Sequence, residues 1–385
     1  MYENVIGHRR VTGRLTQDLE ESTLPPSVLF AGVPLGGKGT VALETARGLT
    51  CLEGTARWRC TCRSCTLHRH LIHPDTLLLG PKEFAPEIVA AADALKRTRR
   101  RGAAFLFVRA LRKLLRRFDD ALWDNAAPKR KAVQGLLAKM EEELLDLDPE
   151  GELLPEAKLE KQLSSLIETA AAIEKKAPLT QISIEQIRSL TSWGHLTGLG
   201  ARKVAIIERA ENLTDSGANA LLKLLEEPPS GLTLILTTRR PKTLLPTLLS
   251  RLRIYRFPLR RKEEEQEVLR RVFHIEELER DSVREYLLTT SDRSVPPGLE
   301  GINELLTTAE TEKEGIPLEL LFERLTNSLR AAFHEGADQH NAETFSAMLE
   351  LLETTRRRAT VLNIPKQQLF PPLRRQLSKL YEEVS

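Results

Sequence analysis

A chain of 385 residues is long enough for two or three domains and at least one sizeable core. Its 41% apolar and 29% charged residues are those of an ordinary globular protein, and a formal charge of +3 is nearly neutral at this size. That balance excludes the global basic footprint of a dedicated nucleic-acid binder. No apolar run approaches the roughly 18–20 residues that span a bilayer, and the start, Met-Tyr-Glu-Asn, lacks a basic stretch leading into an apolar one. A cytoplasmic protein with no membrane partner is expected.

In chain order, the apolar run Ser27–Ala31 predicts a strand, and Val41–Leu49 reads as a helix. Between them lies Gly-Val-Pro-Leu-Gly-Gly-Lys-Gly-Thr, from Gly32 to Thr40. The spacing Gly32-x4-Gly37-Lys38 suits backbone amides that cradle phosphates, with the Lys38 ammonium reaching their oxygens. Strand, glycine loop and helix together make this a phosphate-binding loop rather than an accidental turn. A hydrolytic site needs a Ser or Thr hydroxyl next, to hold Mg²⁺. Here the residue is Gly39, and Thr40 stands one position late.

All four cysteines, Cys51, Cys60, Cys62 and Cys65, fall within fifteen residues. In a chain without a signal peptide this clustering favours thiolates on a metal over disulfides, and four of them suit a tetrahedral structural Zn²⁺. Thr76–Leu79 is the next strand candidate. From about residue 84 to residue 178 strand signals disappear. Instead Phe105, Val108, Leu111, Leu115, Phe118 and Leu122 recur at helical spacing, and two further apolar series come after them, broken by Pro128, Pro149 and Pro155. The segment reads as an inserted helical hairpin or small bundle. Its basic runs Lys96–Arg101 and Arg112–Arg117 are read as a solvated face balanced by Glu141–Glu143, with contact to DNA phosphates as the alternative.

Three more strand candidates, Val204–Ile207, Leu232–Thr237 and Ile254–Phe257, alternate with helical stretches and predict a parallel sheet covered on both faces. The first of these ends in Glu208-Arg209. A hydrolase keeps metal-ordering and water-activating carboxylates there; Glu208 retains the capacity to order a metal, but the Arg209 guanidinium stays protonated and cannot serve as a base. After Pro258 the pattern is helical only, over Arg260–Phe273, Asp281–Leu288, Leu299–Thr308 and from Pro317 to Leu380.

Asn212-Leu-Thr-Asp-Ser-Gly-Ala-Asn-Ala-Leu-Leu-Lys-Leu-Leu-Glu-Glu-Pro-Pro229, followed by Ser250-Arg251, resembles the bacterial DNA polymerase III clamp-loader family, whose members are AAA+ proteins. Ile6-Gly7-His8, the four cysteines and His73-Pro74-Asp75 extend the likeness over most of residues 1–82 and 181–258. The resemblance implies an AAA+ α/β domain over residues 1–258 with a zinc module near 51–65 and the insert near 84–178. A helical lid over 259–310 and a helical collar for oligomerisation over 311–385 are implied to come next.

Within that family the γ/τ subunits keep an intact hydrolytic site and the δ′ subunit usually has a degraded one; Gly39 and Arg209 make this chain resemble δ′. The resemblance implies a subunit that does not hydrolyse ATP itself but supplies Arg251 in trans to a neighbour's ATP. Its partners would be the γ/τ ATPases, δ, the sliding clamp and, through the complex, primer-template DNA. Gly32, Gly37, Lys38, Thr40, Glu208 and Thr238, the last a γ-phosphate-sensing position in AAA+ proteins, form the degenerate nucleotide set, with ATP and Mg²⁺ binding left open. The family has two residues between the second and third cysteines where this chain has Thr61 alone, so His68 or His70 is the alternative fourth ligand. Arg293 lies near the place of a further phosphate sensor, but Pro296-Pro297 alters its surroundings. Two other readings stay open: a γ/τ-like ATPase using Thr40 through a shifted loop, and a zinc-containing DNA-binding protein on a dead AAA+ fold.

Overall fold

The structure, a computed structural model, describes residues 1–54, 56–123, 127–275 and 282–291. Towards the C-terminus it describes 302–303, 306, 321–322, 325–326, 328–329, 342–362, 364 and 366–382. The chain divides into two compact units, Met1–Arg284 and Glu285–Ser385.

Five strands, β1 (Ser27–Gly32), β2 (Thr76–Leu79), β3 (Lys203–Ile207), β4 (Leu232–Thr238) and β5 (Arg253–Phe257), form one sheet in the order β2-β3-β4-β1-β5. Every pairing is parallel, with Leu29 opposite Leu236 and Ile254, and Ala205 opposite Leu234. β1 to β4 are near-continuous apolar runs because both faces are covered, as a parallel sheet requires. One face carries Leu29, Leu77, Leu79, Ile207 and Leu234; the other carries Val28, Phe30, Leu78, Val204 and Ile206. β5 is an edge strand with Arg253 and Arg256 exposed. Its Tyr255 hydroxyl donates to buried Asp18 at 2.5 Å, tying that edge to the first helix.

The helices of the first unit are α1 (Arg9–Glu20), α2 (Lys38–Leu49), α3 (Arg63–Arg69), α4 (Ala85–Thr98), α5 (Arg101–Leu115), α6 (Pro128–Leu145), α7 (Glu156–Lys176), α8 (Ile184–His195), α9 (Asp215–Glu226), α10 (Pro246–Leu249) and α11 (Lys262–Val272). α12 (Val283–Ser291) begins just before the chain passes from the first unit to the second. Helices α4 to α7 occupy the stretch that the sequence marks as an insert, and they have a core of their own. Phe107, Leu111, Val133, Met140, Leu163, Leu166 and Ile173 are buried in it. Each such side chain contributes about 1.5–3 kcal/mol.

The run Lys96–Arg101 is mostly exposed, as a solvated face would be, but the run Arg112–Arg117, with Arg109 before it, turns inward. Arg109 donates to the carbonyls of His68 (3.0 Å) and Arg69 (2.6 Å), and Arg112 donates to His70 O at 2.6 Å. Arg116 donates to the carbonyls of His73 and Thr76. The physical reason is the set of carbonyls at the C-terminal end of α3, which Arg109 and Arg112 reach, and those of the stretch leading into β2, which Arg116 reaches. These three arginines are committed inside the protein rather than to solvent or nucleic acid.

In the second unit, α13 (Ala342–Leu362) and α14 (Lys366–Glu382) pack together. Their core contains Met348, Leu352, Phe370, Leu373 and Leu377, joined by Ile302, Leu306, Phe322 and Leu325. Arg293, the Ser294–Gly298 break and most of Leu299–Thr308 lie outside the described residues. Among the described residues no helix is long and apolar enough to cross a membrane.

If the arginine ladder fastens the insert, Arg109→Met is expected to cost about 2–3 kcal/mol of unfolding free energy, because two charge-assisted hydrogen bonds are lost. Exposed Lys96→Ala is expected to cost under about 0.5 kcal/mol. Urea unfolding of both variants measures the difference.

Candidate functional site

The glycine loop joins β1 to α2 at the C-terminal end of the sheet. Gly32 must be glycine, since a Cβ there would collide with the Phe257 carbonyl oxygen on β5. Gly37 caps α2 in the left-handed region at φ 78°. The Lys38 side chain folds back onto its own loop, donating to the carbonyls of Gly32 (2.8 Å) and Val33 (2.5 Å). Burial, reinforced by the Arg239 charge, brings its ammonium down to about 8 against the opposing pull of Glu211 and Glu208. A second cation lies across the loop. Arg260 donates to Leu35 O at 3.0 Å, and its Nη2 is 2.5 Å from where a Cβ at Gly37 would stand.

Glu208 projects from the end of β3 towards Gly39 and is claimed from the opposite side. One carboxylate oxygen is 2.9 Å from the place of a Gly39 Cβ; the other accepts from Arg117, in the turn Arg116–Phe118 that comes after α5. Burial works to raise the Glu208 carboxyl, but Arg117, with Lys82 and Lys113 nearby, holds it below the usual carboxylate range. Arg209, left-handed at φ 52°, turns its guanidinium to Glu83 at 3.2 Å, while its amide donates to Thr237 Oγ1. Thr238 is fully buried and its hydroxyl accepts from the Arg240 amide at 3.0 Å. Thr40 is exposed, so the position facing the β3 carboxylate is 39 and not 40. As arranged, these residues do not fit a magnesium-bound nucleotide: the hydroxyl is missing, the lysine is turned onto its own loop, and the carboxylate already has a cation.

The cysteines make a second site. All four Sγ atoms lie within 4.8 Å of one another, with Cys51 and Cys60 at 3.8 Å. A tetrahedron with Zn–S near 2.3 Å places its sulfurs about 3.8 Å apart, so the set fits a closed structural zinc site. Cys60 and Cys62 both take part despite the single residue between them, because Cys62 caps α3 and accepts the Cys65 amide at 3.4 Å. The histidine alternative is thereby corrected. His68 bonds Thr50 Oγ1 at 2.7 Å and stacks on His73 at 4.3 Å, while His70 faces Glu150. Arg47, fully buried on α2, donates to Cys65 Sγ at 3.4 Å and to the carbonyls of Met1, Ala56 and Arg57. Arg47 is also ion-paired to buried Glu44 at 2.9 Å, so what it gives the cluster is a hydrogen bond to the Cys65 sulfur.

Arg251 stands elsewhere. It is exposed just before β5, bonded to Glu226 at 2.6 Å and to Thr247 O at 2.9 Å. Because Val28 of β1 pairs in register with Arg253, Arg251 flanks the N-terminal end of the sheet, and the glycine loop leaves the C-terminal end. The structure therefore brings Gly32, Gly37, Lys38, Gly39 and Glu208 together and keeps Arg251 and the cysteines apart from them. Sequence reasoning missed Arg47, Arg117 and Arg260. Arg117 was visible only as part of a basic run, and no local spacing marks the other two.

A parallel sheet in this order, with a phosphate loop after β1 and a polar strand end on β4, defines an AAA+ protein. The chain is similar in sequence to subunits of the DNA polymerase III clamp loader. Residues 128–260 match the sequence model described as DNA polymerase III, delta subunit, a span that includes α6 and α7 of the insert. The chain is 45% identical over 71 residues to the DNA polymerase III subunit delta′ of Pseudomonas aeruginosa, covering 18% of this chain and 22% of that protein. For the delta′ subunit of Escherichia coli the figures are 43% over 75 residues, covering 19% and 22%. The gamma/tau subunit of Mycobacterium tuberculosis is 46% identical over 57 residues, covering 15% of this chain and 10% of that protein. The chain thus spans about a fifth of the length of the delta′ relatives it matches. A solved structure of a gamma subunit-related protein from Thermotoga maritima aligns with a TM-score of 0.40 at 16% identity, over 95% of this chain and 98% of that one.

The purified protein is expected to hold about one equivalent of zinc. Arg47→Met is expected to release it to a competing chelator with at least about tenfold lower apparent affinity, measured by a colorimetric zinc indicator.

Proposed function

We propose that the chain is a δ′-like subunit of the DNA polymerase III clamp loader. It does not turn over ATP itself; it assembles with γ/τ ATPases and δ, helps load the sliding clamp on primer-template DNA, and presents Arg251 to the ATP of a neighbouring subunit. The observation that carries this reading is the separation of Arg251 from Lys38 by the length of the sheet. An arginine at the opposite end from its own phosphate loop cannot serve that loop, and its exposed guanidinium is restrained by half-exposed Glu226 and one backbone carbonyl. A guanidinium delivered across an interface stabilises the charge that develops on a phosphoryl group during transfer. The altered positions 39 and 209 support the complementary half, a loop that does not hydrolyse.

In a complex reconstituted with γ/τ, δ and the clamp, Arg251→Ala is expected to leave assembly intact on gel filtration. Clamp- and DNA-stimulated ATP hydrolysis is expected to fall by about tenfold or more. An unchanged rate rules the trans role out. The isolated chain is expected to show no turnover; hydrolysis abolished by Lys38→Ala would instead identify a γ/τ-like ATPase.

A further inference from the structure

We propose that Arg117, carried by the helical insert, is the built-in cation of the nucleotide pocket: it holds Glu208 against Gly39 and so excludes both a side chain at position 39 and a metal ion. This role deepens the reading of the loop as non-hydrolysing and rests on it.

Three observations meet at Glu208. First, its two oxygens are divided between the insert and the loop, one on Arg117 Nη2 and one 2.9 Å from the place of a Gly39 Cβ. Gly39 lies within α2 without positive φ, so an alanine or serine there meets no backbone strain. What excludes it is the carboxylate. Second, Arg117 is fully buried, and its Nε and Nη1 have no hydrogen-bond partner among the described residues. Its other neighbours include the Glu87 carboxylate, which acts on it through space, and the Phe84 ring, 5.8 Å away. Glu208 is therefore the acceptor that keeps this charge tolerable, and drawing the carboxylate away towards a metal would strand a buried guanidinium. Third, the turn that carries Arg117 is held in place. Arg116 bonds the His73 and Thr76 carbonyls, Trp123 Nε1 donates to Arg117 O at 2.6 Å, and Arg130 donates to Phe118 O at 3.0 Å. The backbone that carries Arg117 is thus tied down within reach of Glu208.

Gly39 and the insert are thus linked. The glycine that removes the metal-binding hydroxyl is the residue that the Arg117–Glu208 pair can accommodate, and the pair supplies the positive charge at the carboxylate that a hydrolytic site takes from its metal.

Thermal unfolding of the full chain, followed by far-UV circular dichroism, tests the linkage. Gly39→Ala is expected to lower the apparent Tm by about 3 °C or more in the wild type. The loss is expected to fall to under about 1 °C when Arg117→Met and Glu208→Ala remove both charges. Should that background not fold, Glu208→Asp, one methylene shorter, is expected to at least halve the loss. Equal losses in every background, or no loss in the wild type, overturn the proposal. Metal dependence is the second arm. Any affinity of the wild type for ADP, including none, is expected to agree within about twofold between Mn²⁺ and EDTA; a rise above about fivefold with Mn²⁺ overturns it. Neither arm involves Arg251, so failure here and failure of the trans-arginine reading are told apart.

Discussion

A buried guanidinium must find acceptors, and this requirement organises the first unit more than any other. Arg47, Arg109, Arg112, Arg116 and Arg117 are all turned inward, and between them they bond backbone carbonyls, a cysteine sulfur and three carboxylates, those of Glu44, Asp119 and Glu208. Through Arg47 the phosphate-loop helix is joined to the cysteine cluster. Through Arg109, Arg112 and Arg116 the cysteine module is joined to the insert, and through Arg117 the insert reaches the sheet. Leaving any one of these charges without a partner inside the protein would cost more than the net worth of the bonds it makes. The insert is therefore part of the α/β unit and not an appendage to it.

The changes around the glycine loop form one arrangement. Lys38 is satisfied by the carbonyls of its own loop, Arg260 covers the loop, Glu208 is neutralised from the insert, and Arg209 is turned to Glu83. Lys38, Arg260 and Arg209 each have an oxygen partner within the chain.

The sheet was legible in advance. All five strands lie within a residue or so of the runs that announce them; for β1 to β4 the reason is that strands buried on both faces must be continuously apolar. The insert's helices were legible from apolar residues at helical spacing, and the four thiolates from their clustering alone. The basic run 112–117 was not. Charge along a helix reads as solvated unless one knows what faces it, and what faces it here is a helix end some forty residues earlier in the chain. The histidines were likewise ambiguous: a ligand and a core hydrogen-bonding residue look the same in one dimension.

By itself the sequence determined the element types, the place of the glycine loop, the missing hydroxyl at Gly39 and the clustering of the four cysteines, because each depends on neighbours within about fifteen residues. Only the tertiary structure decided what each charged group is paired with. It set Glu208 between Gly39 and Arg117, gave Cys65 an arginine, and put Arg251 at the far end of the sheet from Lys38. Those pairings join residues tens to more than a hundred positions apart, and nothing in local periodicity carries information over such separations.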